Sequence, residues 1–549
     1  MFWKLINNLL GAWRERGRDA ASSPRGRGPA TVPTGGASGS KAASGSLEDL
    51  VQQAAMLAKA GRLNAALECY RACVQAYPHE LSAYLGMGNV LVDLWSIEEA
   101  VASYGKALAL APHSSAIYSA LLFHTHYLAS PDPARMFELH QRFGQMMHMA
   151  SRPATKNFAP AGIRERRIRV GYVSPNFSRH SVGYFVEPVI NHHDRSRYEI
   201  YCYYTHHLSD ETTQRIRGLA DGWRDIAEAS DDAVEKMIRN DRIDILVDLA
   251  GHSKGNRLGV FARKPAPIQM TWLGYPDTTG LDTVDYRITD QVADPEPDAQ
   301  LRHTERLLRI DDVFLCYQPP DDSPPVSARA NPASEIVFAS SNNIAKLNEP
   351  TIRAWGHILS QVPGSRIILK SAPLGYPDTA DRVLECCESC GIDTERIELL
   401  GWLPDRRQHL DLYASIDIAL DTFPYNGTTT TCESLWMGVP VVSLAGATHM
   451  SRVGATILRC AGLNEFVAAS MNEYVAMAVA LAHDKAQRES LRAGLRSKLL
   501  ASPLLDHEGF TRKLERHFSE VTESRQYPPR HEARSKGSVS PTRHTPDSG

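Results

Sequence analysis

The chain has 549 residues, 43% of them hydrophobic, and a formal net charge of -3 at pH 7. That is globular in composition and too long for one hydrophobic core, so two or three domains are expected, and the near-neutral charge argues against a general nucleic-acid binder. Nine cysteines are scattered, and the cluster Cys386, Cys387 and Cys390 lacks a second pair or a histidine at ligand spacing. No metal site is expected there, and reduced thiols in a cytoplasmic protein fit better.

The N-terminal MFWKLINNLLGAW has one lysine and an apolar stretch broken by Asn7 and Asn8. It lacks a signal-peptide core and cleavage site, and nothing later is long enough to span a membrane; a weak interfacial helix over Phe2 to Trp13 is the most this stretch offers. No stable membrane insertion is expected. From about residue 15 to 45 the chain is rich in Gly, Ser, Pro, Ala and Arg, so residues 1–45 are expected to be a disordered N-terminal segment.

From Leu47 a helical pattern begins and repeats. Leu57 is matched by Leu91, Ala66 by Ala100, Tyr70 by Tyr104 and Pro78 by Pro112, each 34 residues on. That period belongs to tetratricopeptide repeats, in which small residues sit where paired helices touch and aromatics act as packing knobs. Residues 46–150 are expected to hold two repeats and a partial third. So short a stack would leave an apolar end exposed, so it should dock on the neighbouring domain and can present a protein or peptide acceptor.

After a linker near residues 151–165 the periodicity alternates between strands and helices. Ile168 to Val173, Glu199 to Tyr204, Ile245 to Leu249 and Ile268 to Trp272 predict strands of a doubly wound parallel sheet in a domain over 160–325. Pro319 to Pro332 is a proline-rich linker. A second α/β domain, 333–521, is expected from strands at Glu335 to Ser340, Arg366 to Lys370, Ile397 to Leu400, Ile416 to Leu420 and Val441 to Leu444. The polar tail, 522–549, is expected to be disordered.

The stretch Ile416 to Gly446 is the organising unit of the second domain. Its apolar strand ends at Asp421, a turn contains Pro424, Asn426 and Gly427, and four threonines, Thr428 to Thr431, open a helix. Amides at a helix N-terminus, threonine hydroxyls and the positive helix end suit a diphosphate at the carboxyl edge of the sheet. Two Rossmann-like halves without GxGxxG after the first strand argue against a dinucleotide oxidoreductase and suit a two-domain glycosyltransferase of the GT-B type. The sequence contains no Asp-x-Asp, so cationic side chains and helix-end amides, with no metal cofactor, must stabilise a leaving diphosphate.

Several segments then resemble one family. RVGYVSPNFSRHSVGYF, DLAGHSKGNR, KPAPIQMTWLGYPDTTG, DYRITD, Asn342 to Lys346, LDTFPYNGTTTTCESLWMGVPVV and SRVGATIL closely resemble the catalytic region of O-GlcNAc transferases and SPINDLY-like proteins. The resemblance covers about Leu47 to Phe518 and includes the upstream repeats. It implies an inverting transfer of GlcNAc from UDP-GlcNAc to Ser/Thr hydroxyls of proteins. On this resemblance Lys346 contacts the donor diphosphate and Asn343 the nucleotide end. Thr428, Thr429 and Thr430 lie at the phosphates, Glu433 holds the ribose hydroxyls, and His409 stacks on the base beside Pro404 and Arg406. His180 stands at the cleft mouth as a base or an orienting group. Leu273, Gly274 and Pro276 match a sugar-pocket turn, while His252 and Lys254 are weaker cleft candidates.

The departures are Asn176, where animal enzymes carry an aspartate, Tyr184 in place of a histidine, and Ala345 in place of a tyrosine. GDP-fucose is the nearest rival donor, UDP-glucose transfer to asparagine a more distant one, and a non-catalytic repeat scaffold the competing class.

Overall fold

The computed structural model describes residues 47–151, 166–327 and 335–526. The expectations for the N-terminal segment and most of the C-terminal tail, like most of the 151–165 linker, lie outside them. Among the described residues no helix is long and apolar enough to cross a membrane.

Six helices come first: Leu47–Lys59, Leu63–Ala76, Leu81–Asp93, Ile97–Leu110, Ser115–Thr125 and Pro133–Ala150. The 34-residue period is built as close antiparallel pairing. Ala66, Ala83 and Ala100 have no exposed surface, and the Tyr70 and Tyr104 rings fill the space beside Gly86 and Gly88, where a Cβ would collide with them. The last helix enters the core of the next unit. Phe143, Met146 and Met147 join Val173, Tyr203 and Leu246 in one cluster, and each such burial contributes about 1.5–3 kcal/mol. Gly144 packs on the carbonyl of Gly280, which has φ +77°, so no side chain fits at either position.

The first sheet has seven parallel strands: β1 (Ile168–Ser174), β2 (Tyr198–Tyr204), β3 (Gly222–Asp225), β4 (Ile245–Asp248), β5 (Ile268–Thr271), β6 (Tyr286–Thr289) and β7 (Arg306–Arg309). Their order is β3-β2-β1-β4-β5-β6-β7, with β1 between β2 and β4. The second sheet has six parallel strands: β8 (Val337–Ser340), β9 (Arg366–Lys370), β10 (Ile397–Leu400), β11 (Ile418–Leu420), β12 (Val441–Leu444) and β13 (Val467–Ala468), in the order β10-β9-β8-β11-β12-β13. Both orders reverse at the first strand of their sheet, which opens a crevice at the carboxyl ends of β1 and β4 and of β8 and β11. The result is an α/β chain of GT-B architecture behind an all-α segment.

The two sheet units are sutured in two places. His449 Nδ1 lies 2.7 Å from Asp294 Oδ2, and Arg452 Nε donates to Val292 O at 2.6 Å. Helix His507–Gln526, the last among the described residues, returns to the first unit. There Tyr198 OH donates to Glu515 O at 2.9 Å, Asp194 N donates to Glu515 Oε1 at 2.7 Å, and Phe510 stacks on Trp272.

Candidate active site

β11 is three residues of buried apolar strand, and Asp421 follows it as the anchor of the next turn. Its carboxylate accepts hydrogen bonds from Thr422 N (2.9 Å), Gly427 N (2.7 Å), Ser443 Oγ (2.7 Å) and Asn342 Nδ2 (3.2 Å). Burial lifts the pKa of this carboxyl to about 6, against those hydrogen bonds and the nearby Lys346. Thr422 Oγ1 donates to Tyr425 O and Asn426 Nδ2 to Thr422 O, closing the turn. Gly427 is required here, because a Cβ would lie 2.5 Å from Thr430 Oγ1 and 2.7 Å from Asn342 Oδ1.

Helix Thr429–Trp436 starts immediately after that turn. Thr428, Thr429 and Thr430 are half-buried while Thr431 is buried. Thr428 makes no side-chain cap, so the first-turn amides are left to whatever the cleft holds. Thr430 Oγ1 donates to Asn342 Oδ1 at 2.8 Å. Asn342 and Asp421 therefore shape this loop, and neither stood out in the sequence as more than part of a segment.

Lys346 ends the short turn Ile344–Lys346 that follows β8. Asn343 is exposed, and its side chain accepts from Ala345 N at 3.1 Å. Lys346 Nζ donates to Asn426 O at 2.7 Å and lies 4.0 Å from the centroid of the Tyr425 ring. The ammonium thus rests on the turn that leads into the threonine helix. Burial pushes its pKa down to about 8, opposed by Asp421. The cation is present below that pH and lost above it. Donor kcat/KM is therefore expected to fall about tenfold per pH unit above roughly pH 8, and a Lys346→Arg variant should lose that limb. A profile flat to pH 10 would contradict this role.

Glu433, also on the threonine helix, is buried, and its Oε2 lies 3.1 Å from His409 Nε2. His409 sits on helix Arg406–Asp411, capped by Asp405 and preceded by the exposed Pro404. The Arg406 guanidinium lies 4.5 Å over the ring of Tyr184, which belongs to the other sheet unit, so this pair spans the cleft. His409 Nδ1 and the Tyr317 hydroxyl are buried polar atoms with no hydrogen-bond partner among the described residues. Buried polar atoms are normally satisfied, and both residues lie beside Glu433.

On the first sheet, His180 caps helix Ser181–His192. Its Nδ1 accepts from Val182 N at 3.2 Å, which in the neutral ring puts the proton on Nε2. Tyr184 lies one helical turn further on, toward Arg406. Leu273 has φ +73°, and Gly274 packs so closely on Leu249 O that a Cβ is excluded. Pro276 lines a small pocket with His126, Asp277, His303 and His449, where the repeats meet both sheet units.

Lys254 is exposed in the loop after β4. His252 is placed differently: it is fully buried in the seam with the repeats, its Nδ1 3.0 Å from Ser119 Oγ and its Nε2 2.9 Å from Thr279 O. Both ring nitrogens are occupied, so in this structure it is part of the seam and not of the open cleft wall. Asp248 accepts from Ala250 N and Gly251 N, holding that loop as Asp421 holds its own.

The model of glycosyl transferase family 41 matches residues 109–318 and 322–514. A Solanum lycopersicum protein named "Probable UDP-N-acetylglucosamine--peptide N-acetylglucosaminyltransferase SPINDLY" is 39% identical over 398 residues, 71% of this chain and 42% of that protein. The Arabidopsis thaliana protein of the same description ending in SEC is 29% identical over 414 residues, 72% of this chain and 42% of that protein. The chain thus spans less than half the length of these curated relatives. A solved structure of a Thermobaculum terrenum O-GlcNAc transferase mutant superposes with a TM-score of 0.81 at 37% identity, covering 88% of this chain and 91% of that one.

Proposed function

Because the chain belongs to glycosyl transferase family 41, we propose that it is an inverting transferase that moves GlcNAc from UDP-GlcNAc to Ser/Thr hydroxyls of protein or peptide acceptors. The observation that carries this reading is the placement of Lys346. Its ammonium meets the turn Thr422–Gly427 just where the half-buried threonines and the helix N-terminus converge.

A donor diphosphate fits that convergence. Lys346 supplies a positive charge held on the turn, and the first-turn amides of helix Thr429–Trp436 supply fixed dipoles aimed at the charge that develops on the leaving group. Asn343, at the mouth of the lysine turn, faces the nucleotide end. Glu433 is the acceptor for ribose hydroxyls, with His409 poised to turn from the carboxylate onto the base, and Pro404 and Arg406 flank it. The backbone turn at Leu273, Gly274 and Pro276 lets the hexose approach closely. Lys254 is an outlying contact at the cleft edge. His180, which caps its helix through Nδ1 at the mouth of the cleft, orients sugar or acceptor. The proton of the acceptor hydroxyl then passes to an oxygen of the donor phosphate, and the hydroxyl oxygen attacks the anomeric carbon as the bond to the nucleoside diphosphate breaks.

No metal takes part in this scheme, since Lys346 and the helix end carry the neutralisation. Transfer should persist in EDTA; activity abolished by EDTA and restored by Mg²⁺ or Mn²⁺ would refute the cradle. Calorimetry with UDP and GDP tests the donor. UDP is expected to bind tighter, because a site built from defined polar partners discriminates strongly against a ligand that cannot use them. Tighter GDP binding would move the reading to fucosyl transfer from GDP-fucose.

A further inference from the structure

The helices of the second repeat meet at a turn, and at that turn Trp95 adopts φ +57°, a backbone conformation more often given to glycine. Its indole faces the second sheet unit and Nε1 donates to Leu347 O at 2.7 Å. Leu347 is the residue after Lys346, so the indole fixes the end of the turn that carries the lysine. The same stretch grips that unit a second time. Thr379 Oγ1 donates to Asp93 O at 2.7 Å, and Arg382 Nη1 donates to Ser96 Oγ at 2.6 Å, both from helix Pro377–Ser389.

A second contact approaches from the other side. Tyr127, just beyond helix Ser115–Thr125, is buried and stacks on Tyr425 with ring centroids 5.5 Å apart and planes 21° apart. Tyr425 is the ring that underlies the Lys346 ammonium. Ile97, Tyr127 and Ala345 share one buried apolar cluster. The small side chain of Ala345 leaves room for residues of the repeats to reach the lysine turn.

We infer that Trp95 and Tyr127, both in the repeat segment, are positioning residues for Lys346, so that the repeats complete the donor-diphosphate site. This rests on the reading of Lys346 given under Proposed function. Neither residue touches the donor. Trp95 acts by fixing the carbonyl next to the lysine, and Tyr127 by holding the Tyr425 ring face-on beneath the ammonium, where the ring quadrupole attracts it. A reacting group misplaced by about 1 Å can lose roughly a hundredfold in rate.

The test is steady-state donor turnover by the full chain carrying Tyr127→Leu, Tyr127→Phe or Trp95→Phe, with UDP affinity measured in parallel. Tyr127→Leu and Trp95→Phe are expected to lower kcat about tenfold or more while donor KM and UDP affinity stay within about threefold. Tyr127→Phe keeps the stacking ring and should retain kcat within about twofold. A folded Tyr127→Leu enzyme with wild-type kcat overturns the inference, as does a Tyr127→Phe variant as impaired as the leucine one. If Tyr127→Leu does not fold, Trp95→Phe decides, and unchanged kcat there overturns it. Wild-type protein that turns over none of UDP-GlcNAc, GDP-fucose and UDP-glucose would remove the proposed function itself, whereas an active wild type with unaffected variants removes only the role of the repeats.

Discussion

Replacing Lys346 by alanine is expected to lower kcat for sugar transfer by roughly 10²–10³-fold, about 2.7–4 kcal/mol, the cost of losing one preorganised donor at a developing oxyanion. The side chain lies against Asn426 O and over Tyr425 at the entrance to the threonine helix. With no Asp-x-Asp in the sequence, no metal is expected to replace it. The loss should fall on kcat more than on KM, because the charge it meets grows as the bond to the leaving diphosphate breaks. Near-wild-type kcat in the alanine variant would remove Lys346 from the mechanism.

The second large effect concerns the seam between the repeats and the first sheet. A chain beginning at Arg166 should be insoluble or inactive on protein acceptors. Without helix Pro133–Ala150 the cluster around Val173, Tyr203 and Leu246 faces water. The same cut takes Ser119 from His252 and His126 from Asp277. A point change probes the same contact in the full chain. Gly144→Val would drive a side chain into the Gly280 carbonyl, with an expected loss of about 3 kcal/mol of stability, read as a lower midpoint in denaturant. A stable, fully active fragment from Arg166, or a Gly144→Val chain as stable as wild type, would show that the seam is dispensable.

The sequence made these strands legible because each is a mostly apolar run: β1, β2, β4 and β5 in the first sheet, and β8 to β12 in the second. The strands that escaped it are short and polar. β3 is GWRD and β7 is RLLR, both at sheet edges where one side meets solvent, and β13 is two residues long. β6, YRIT, lies inside the sheet and hides a fully buried arginine. Arg287 is tolerated because its guanidinium donates to the carbonyls of Asp277 and Tyr275, partners a one-dimensional reading cannot supply.

The 34-residue period and the threonine run were visible for the same local reason. The contacts that build the site around them are distant in sequence: Trp95 meets Leu347 across 252 residues, and Ser119 meets His252 across 133. Nothing near Tyr127 in the sequence signals that it stacks beneath the lysine turn. His252, singled out by its motif, illustrates the converse, since that motif says nothing of the repeat helix that buries it.

We propose that this chain transfers a sugar from a nucleotide donor to protein hydroxyls. Intact-mass analysis of cell protein co-expressed with the wild-type chain and with Lys346→Ala tests it most directly. A mass increment of one N-acetylhexosamine residue or multiples of it, on serine or threonine, is expected with the wild type and should be absent or greatly reduced with the variant. An increment of a deoxyhexose, or no increment with either chain, would contradict it.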